Sequence, residues 1–140
     1  MLDVFKEKFA AAGFTEFSPI QTAVATPMAE GLSVLGLAPT GSGKTLAFTW
    51  PMLEAIRVGE GTQAMILAPS QELAMQTTNV VRDWAKLIDA KVLAITGGAN
   101  VKRQAEKLKK HPEIVVGTPG RMTNMIAAVS YTHLTLPTKA

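Results

Sequence analysis

Leu32-Ser33-Val34-Leu35-Gly36-Leu37-Ala38-Pro39-Thr40-Gly41-Ser42-Gly43-Lys44-Thr45 is the stretch whose reading decides the fold. Its second half fits the pattern G-x-x-x-x-G-K-[ST], with Ala38 in the slot of the first glycine. Gly41 and Gly43 can take positive φ without steric penalty, so successive backbone N–H groups turn toward one centre and cradle a phosphate. Thr40 and Ser42 lie in the same cradle and are read with it as nucleotide-binding. Lys44 sets an ammonium against the outer phosphate oxygens, and the Thr45 hydroxyl can ligate Mg²⁺. A helix starting near Lys44 adds the positive end of its dipole. The first half, Leu32 to Ala38, is a short apolar run suited to a buried parallel strand. Beyond the loop, Leu46, Ala47, Trp50, Leu53 and Ile56 are spaced as one face of a helix reaching about Val58. Pro51 is expected to kink or split it. A plain Gly-Ser linker would not sit between a core strand and an amphipathic helix.

Working outward, residues 2–12 read as a helix with Leu2, Phe5, Phe9 and Ala12 on one face and Gly13 as its stop. Ser18 is placed as an N-cap with Pro19 in the first helical position. Pro27 is expected to break that second helix, and Gly31 to end it. Downstream of the loop, Gly59-Glu60-Gly61 is a turn and Gln63 to Ala68 a second buried strand. A long amphipathic helix covers Gln71 to Ile88, Lys91 to Thr96 is a third strand, and Gly97-Gly98 is a sharp turn. A basic helix over 101–110 precedes a fourth strand, Glu113 to Gly117. Thr118-Pro119-Gly120-Arg121 then leads into a helix from Met122 to Ala128. Strands alternating with helices predict an α/β fold, a parallel sheet with flanking helices and right-handed crossovers. In such sheets ligands bind at the carboxyl ends of the strands, where all these polar loops fall.

Composition sets the outer bounds. A chain of 140 residues with 47% hydrophobic and 18% charged residues is globular and can build a core. No apolar run reaches the roughly 18 residues of a membrane span. Met1 to Glu7 carries acids where a signal peptide would be basic and then apolar. Without cysteine there is neither a disulfide framework nor a thiolate metal site. A cytoplasmic location is expected. The net charge of +3 leans mildly toward a polyanionic partner. Much of that excess, Lys102, Arg103, Lys107, Lys109 and Lys110, is read as the solvated face of one helix.

The order of motifs resembles the first RecA-like domain of a DEAD-box RNA helicase of bacterial type. Gly13-Phe14-Thr15-Glu16-Phe17-Ser18-Pro19-Ile20-Gln21 is similar to the family's Q motif, and Ala38 to Thr45 to motif I, which carries alanine first in this family. Ala68-Pro69-Ser70-Gln71-Glu72-Leu73-Ala74 resembles motif Ia, Gly97-Gly98 the GG motif, and Thr118-Pro119-Gly120-Arg121 motif Ib. The resemblance implies an ATP-dependent RNA helicase using ATP and Mg²⁺. Gln21 would select adenine, because its amide offers both a donor and an acceptor; a buried capping glutamine is the alternative reading. Phe14 would stand at the same nucleotide site. Pro69, Ser70, Gln71, Gly97, Gly98, Thr118, Pro119, Gly120 and Arg121 would grip RNA phosphates, and so bind without regard to sequence.

The chain departs from the family's pattern in several places. Phe17-Ser18 stands where Pro-Thr is usual, and Gln71 where an arginine is usual, which weakens one backbone contact. The upstream aromatic that stacks on adenine would fall before Met1. No Asp or Glu follows Glu113, so the acidic pair that gives the family its name is missing, as is the second RecA-like domain. Residues 1–128 are therefore expected to form a partial first domain, incomplete at its C-terminal end. Residues 129–140 resemble translated sequencing-adapter sequence and are set aside as foreign. The parent protein is expected to be a helicase and a monomer. The chain itself is expected to hold nucleotide or RNA without catalysis. An unrelated P-loop NTPase is the remaining alternative, and the Gln21 and Arg121 motifs weigh against it.

Overall fold

The computed structural model describes residues 1–96 and 101–128. The expected Gly97-Gly98 turn and the set-aside 129–140 tail lie outside the described residues. The chain divides into two compact units, Met1–Ala55 and Ile56–Ala140.

The first unit is helical: α1 (Asp3–Ala11), α2 (Pro19–Ala29) and α3 (Lys44–Ala55). Phe5 and Phe9 bury the inner face of α1. Gly13 follows with a φ of +89°, the left-handed conformation that ends the helix. Phe9 then meets both Phe14 and Phe17, with ring centroids 5.1 and 5.0 Å away, and Phe17 stacks on Trp50 of α3 at 4.8 Å. α2 opens as expected, with Ser18 as its cap and Pro19 at its start. Neither proline breaks its helix. Pro27 lies in the last turn of α2, where it forfeits one hydrogen bond while Glu30 and Gly31 still donate to the Thr26 and Met28 carbonyls. Pro51 stands inside α3, whose Leu46, Ala47, Trp50 and Leu53 are buried. That tertiary packing outweighs the local penalty.

The apolar run before the phosphate loop overturns an expectation. Residues 32–38 form no strand; Leu32, Leu35 and Leu37 are 58, 85 and 84% exposed. A strand exists only by pairing, and none of the described strands pairs with this run.

The second unit holds β1 (Ala64–Leu67), α4 (Gln71–Ala85) running into a 3-10 turn (Lys86–Ile88), β2 (Val92–Ile95), α5 (Val101–Leu108), β3 (Ile114–Gly117) and α6 (Pro119–Ala128). The sheet order is β1-β3-β2, and both pairings are parallel. All four residues of β3, in the middle, are buried. β1, expected to be buried, is only partly so, and Leu67 is 52% exposed. Ile95, Leu108, Val115, Met122 and Met125 build the core beneath α5 and α6. Ala74, Val81, Trp84 and Ala85 form the buried side of α4. Two side-chain bonds pin the lower end of the sheet. The Thr62 hydroxyl donates to the Pro112 carbonyl at 2.6 Å, and Glu113 accepts the Lys91 N–H at 3.2 Å.

Candidate functional site

In the first unit the chain leaves Ala38 and turns through the glycine loop into α3. Gly41 and Gly43 have φ of +81° and +84°, and the Ser42 N–H donates to the Pro39 carbonyl at 3.2 Å. The Ala47 N–H bonds back to the Gly43 carbonyl at 3.0 Å, so α3 starts directly on the loop. The Ser42 hydroxyl is buried without a protein hydrogen-bond partner. Thr40 and Lys44 are exposed, and Thr45 is half-buried. An anion in this cradle would meet backbone donors at a helix start, an ammonium and the orphaned hydroxyl, the donor set a phosphate needs.

Gln21, only 5% exposed, performs two tasks. Its Oε1 accepts from the Ser18 N–H at 3.0 Å while its own N–H donates to Ser18 Oγ at 3.4 Å, closing a capping box. Its Nε2 also donates to the Gly43 carbonyl at 3.4 Å. A Cβ built on Gly43 would collide with this amide. The structure thus unites Gln21 with the loop across 22 residues of sequence. Sequence reasoning treated cap and nucleotide contact as alternatives; the second oxygen lone pair and second amide hydrogen leave room for both. Phe14 is 51% exposed and rests on Phe9.

In the second unit the parallel register aligns Leu67, Gly117 and Ile95 at one end of the sheet. The Ala68 N–H donates to the Gly117 carbonyl at 3.0 Å, tying the loop after β1 to the end of β3. Ser70 caps α4 by accepting the Leu73 N–H at 3.2 Å, with Pro69 and Gln71 exposed on either side. At the neighbouring strand end the Thr118 carbonyl accepts the Met122 N–H at 2.9 Å and α6 begins at Pro119. Pro119 and Gly120 are exposed and Arg121 is half-buried. Gly97 and Gly98 lie outside the described residues. The starts of α4 and α6 therefore present polar loops at the same end of the sheet, each with the positive end of a helix dipole. Gly117, which sequence reasoning did not single out, makes this possible: a Cβ there would stand 2.9 Å from the Ile95 carbonyl oxygen and 3.3 Å from Met122.

A glycine loop opening a helix, and a parallel sheet with polar loops at its carboxyl ends, are the marks of a RecA-like α/β fold. The family model for DEAD/DEAH box helicase matches residues 18–136, and the chain belongs to this family. It is 47% identical over 124 residues to the probable ATP-dependent RNA helicase YfmL of Bacillus subtilis, covering 88% of this chain and 33% of that protein. It is 43% identical over 116 residues to the ATP-dependent RNA helicase dbp10 of Schizosaccharomyces pombe, covering 81% of this chain and 14% of that one. Among solved structures, a DEAD box protein from Methanococcus jannaschii matches with a TM-score of 0.86 at 30% identity, covering 97% of this chain and 39% of that chain. A hypothetical ATP-dependent RNA helicase from Sulfolobus tokodaii gives 0.80 at 31% identity, over 91% and 37%. The chain spans a third or less of the length of these curated relatives. No helix among the described residues is long and apolar enough to cross a membrane.

Proposed function

We propose that this chain is the nucleotide- and RNA-gripping part of an ATP-dependent RNA helicase that works as a monomer in the cytoplasm. Gly41, Ser42 and Gly43 hold the phosphates of ATP, with Thr40 at the rim and Lys44 compensating their charge. Gln21 and Phe14 contact the adenine. Mg²⁺, which would neutralise the phosphates, has Thr45 as its ligand from this chain; no cluster of three or more acidic or histidine side chains occurs among the described residues. Pro69, Ser70, Gln71, Thr118, Pro119, Gly120 and Arg121, together with Gly97 and Gly98, hold the RNA backbone, so that affinity is independent of base sequence. The observation that carries this reading is the loop itself: two left-handed glycines around a buried hydroxyl with no protein partner, joined to Gln21.

Hydrolysis is assigned to the whole helicase. The 140 residues contain no carboxylate after Glu113 to orient a water, so the chain is expected to bind ATP without turning it over. The test is titration with a fluorescent ATP analogue. Saturable binding that ATP displaces at least tenfold better than GTP, and that disappears in Lys44→Ala with the melting temperature unchanged, is the expected result. Equal displacement by GTP removes the adenine role of Gln21. Full binding in Lys44→Ala removes the loop from the site.

A further inference from the structure

β2 is an edge. In the order β1-β3-β2 it pairs only with β3 among the described residues, so its outer side carries backbone groups with no strand beside them. The register says which groups these are. The Ile114 N–H donates to the Lys91 carbonyl, which directs residues 91, 93 and 95 toward β3 and residues 92, 94 and 96 outward. An independent contact agrees: the Arg82 guanidinium donates to the Val92 carbonyl at 3.0 Å, which only an outward carbonyl allows. Arg82 thereby closes one end of the edge. The N–H and C=O of Ala94 and the N–H of Thr96 remain along the rest.

This edge lines a groove of about 460 Å³ shared by Leu93, Ala94, Thr96, Arg82, Arg103, Gln104 and Lys107. The three charged residues are all cationic. The chain crosses the sheet in opposite directions from β1 to β2 and from β2 to β3. Right-handed crossovers therefore put α4 and α5 on opposite faces. Arg82 thus flanks the edge from one face, and Arg103 and Lys107 from the other. Natural edge strands are blunted by charge against indiscriminate pairing, and a one-signed rim makes that protection selective for the opposite sign.

We propose that the outer edge of β2 is a docking site for an acidic peptide segment in extended conformation, which adds a strand beside Ala94 and sets its carboxylates against Arg82 on one face and Arg103 and Lys107 on the other. Strand addition supplies main-chain hydrogen bonds for affinity and alternating side chains for specificity. The chemistry favours a peptide over a nucleic acid. Ala94 offers a donor and an acceptor at one residue, which a peptide unit satisfies in both directions. Phosphate oxygens only accept, and would leave the Ala94 carbonyl unmatched. Neither Gly41–Thr45 nor the α4 and α6 starts take part, so docking needs no nucleotide.

The test uses the full 140-residue chain and a fluorescein-labelled Glu-Val-Glu-Glu-Val-Glu peptide, followed by anisotropy. Saturable binding is expected, at least tenfold weaker in the double variant Arg103→Glu/Lys107→Glu. Ala94→Pro removes the outward N–H at a place where an edge strand tolerates proline, and should weaken binding at least fivefold with the melting temperature unchanged. The backbone N-methylated peptide, tested on the unaltered chain, should not bind, which keeps the test independent of variant folding. Absence of saturable binding, or equal binding of the N-methylated peptide, overturns the proposal. So does an oligouridylate whose binding is lost in the charge-reversed variant and retained in Ala94→Pro, which would assign the groove to nucleic acid.

Discussion

At Gly43 a side chain would have to share space with the Gln21 amide while holding a φ of +84°. Gly43→Ala therefore costs twice: about 1–3 kcal/mol for a non-glycine residue in that conformation, and displacement of Nε2 from the Gly43 carbonyl. We expect at least a tenfold loss of ATP-analogue affinity in titration. Gly41→Ala separates the two effects, because its φ is +81° but nothing stands within 4 Å of its Cβ. If the Gln21 contact matters, Gly43→Ala must be the worse of the pair; equal losses would reduce the effect to backbone strain. The loop's turn into α3 was legible because the spacing of Gly41 and Gly43 alone carries it. The tie to Gln21 was not, since a hydrogen bond across 22 residues leaves no local pattern.

Among elements, β3 carries the sheet, and its last residue is where three strands converge on their loops. Gly117→Ala pushes a methyl against the Ile95 carbonyl, a backbone atom with little freedom to retreat. We expect a loss of about 1–3 kcal/mol, read as a melting temperature lower by about 4–8 °C per kcal/mol. An unchanged melting temperature would mean β2 and β3 are less tightly held than the register implies. At this scale the sequence was informative about content and less so about pairing. Ser18-Pro19 and Ser70 announced helix starts because a cap is local chemistry. Pro27 and Pro51 pointed to breaks that the end of α2 and the buried face of α3 absorb. Leu32 to Ala38 has the composition of a core strand, yet composition cannot supply the neighbour a strand requires.

For the molecule as a whole, a net charge of +3 is too small for nonspecific attraction to dominate. The RNA binding proposed above should then depend on the few groups at the strand ends. Arg121→Ala is expected to weaken oligouridylate and oligoadenylate binding alike, and to flatten the plot of log affinity against log salt by about 0.7 for the one phosphate contact removed. A loss confined to one of the two homopolymers would turn Arg121 from a backbone contact into a base reader.

The sheet order also has a consequence for how the protein is made. Among the described residues β1 and β2 share no hydrogen bonds; each pairs with β3, which follows both in the chain, and Ala64 must wait for Ile114. Chains emerge from the ribosome at about 5–20 residues per second, so for some seconds the segments of β1 and β2 are present, unpaired, with their central partner still unmade. Folding of this unit is gated by the arrival of its keystone. A nascent chain stalled after Lys110 should show no amide protection at 64–67 or 92–95 by hydrogen exchange, and one released beyond Ala128 should show it at both together. Protection appearing at β1 alone in the stalled chain would mean that a transient partner substitutes for β3 during synthesis.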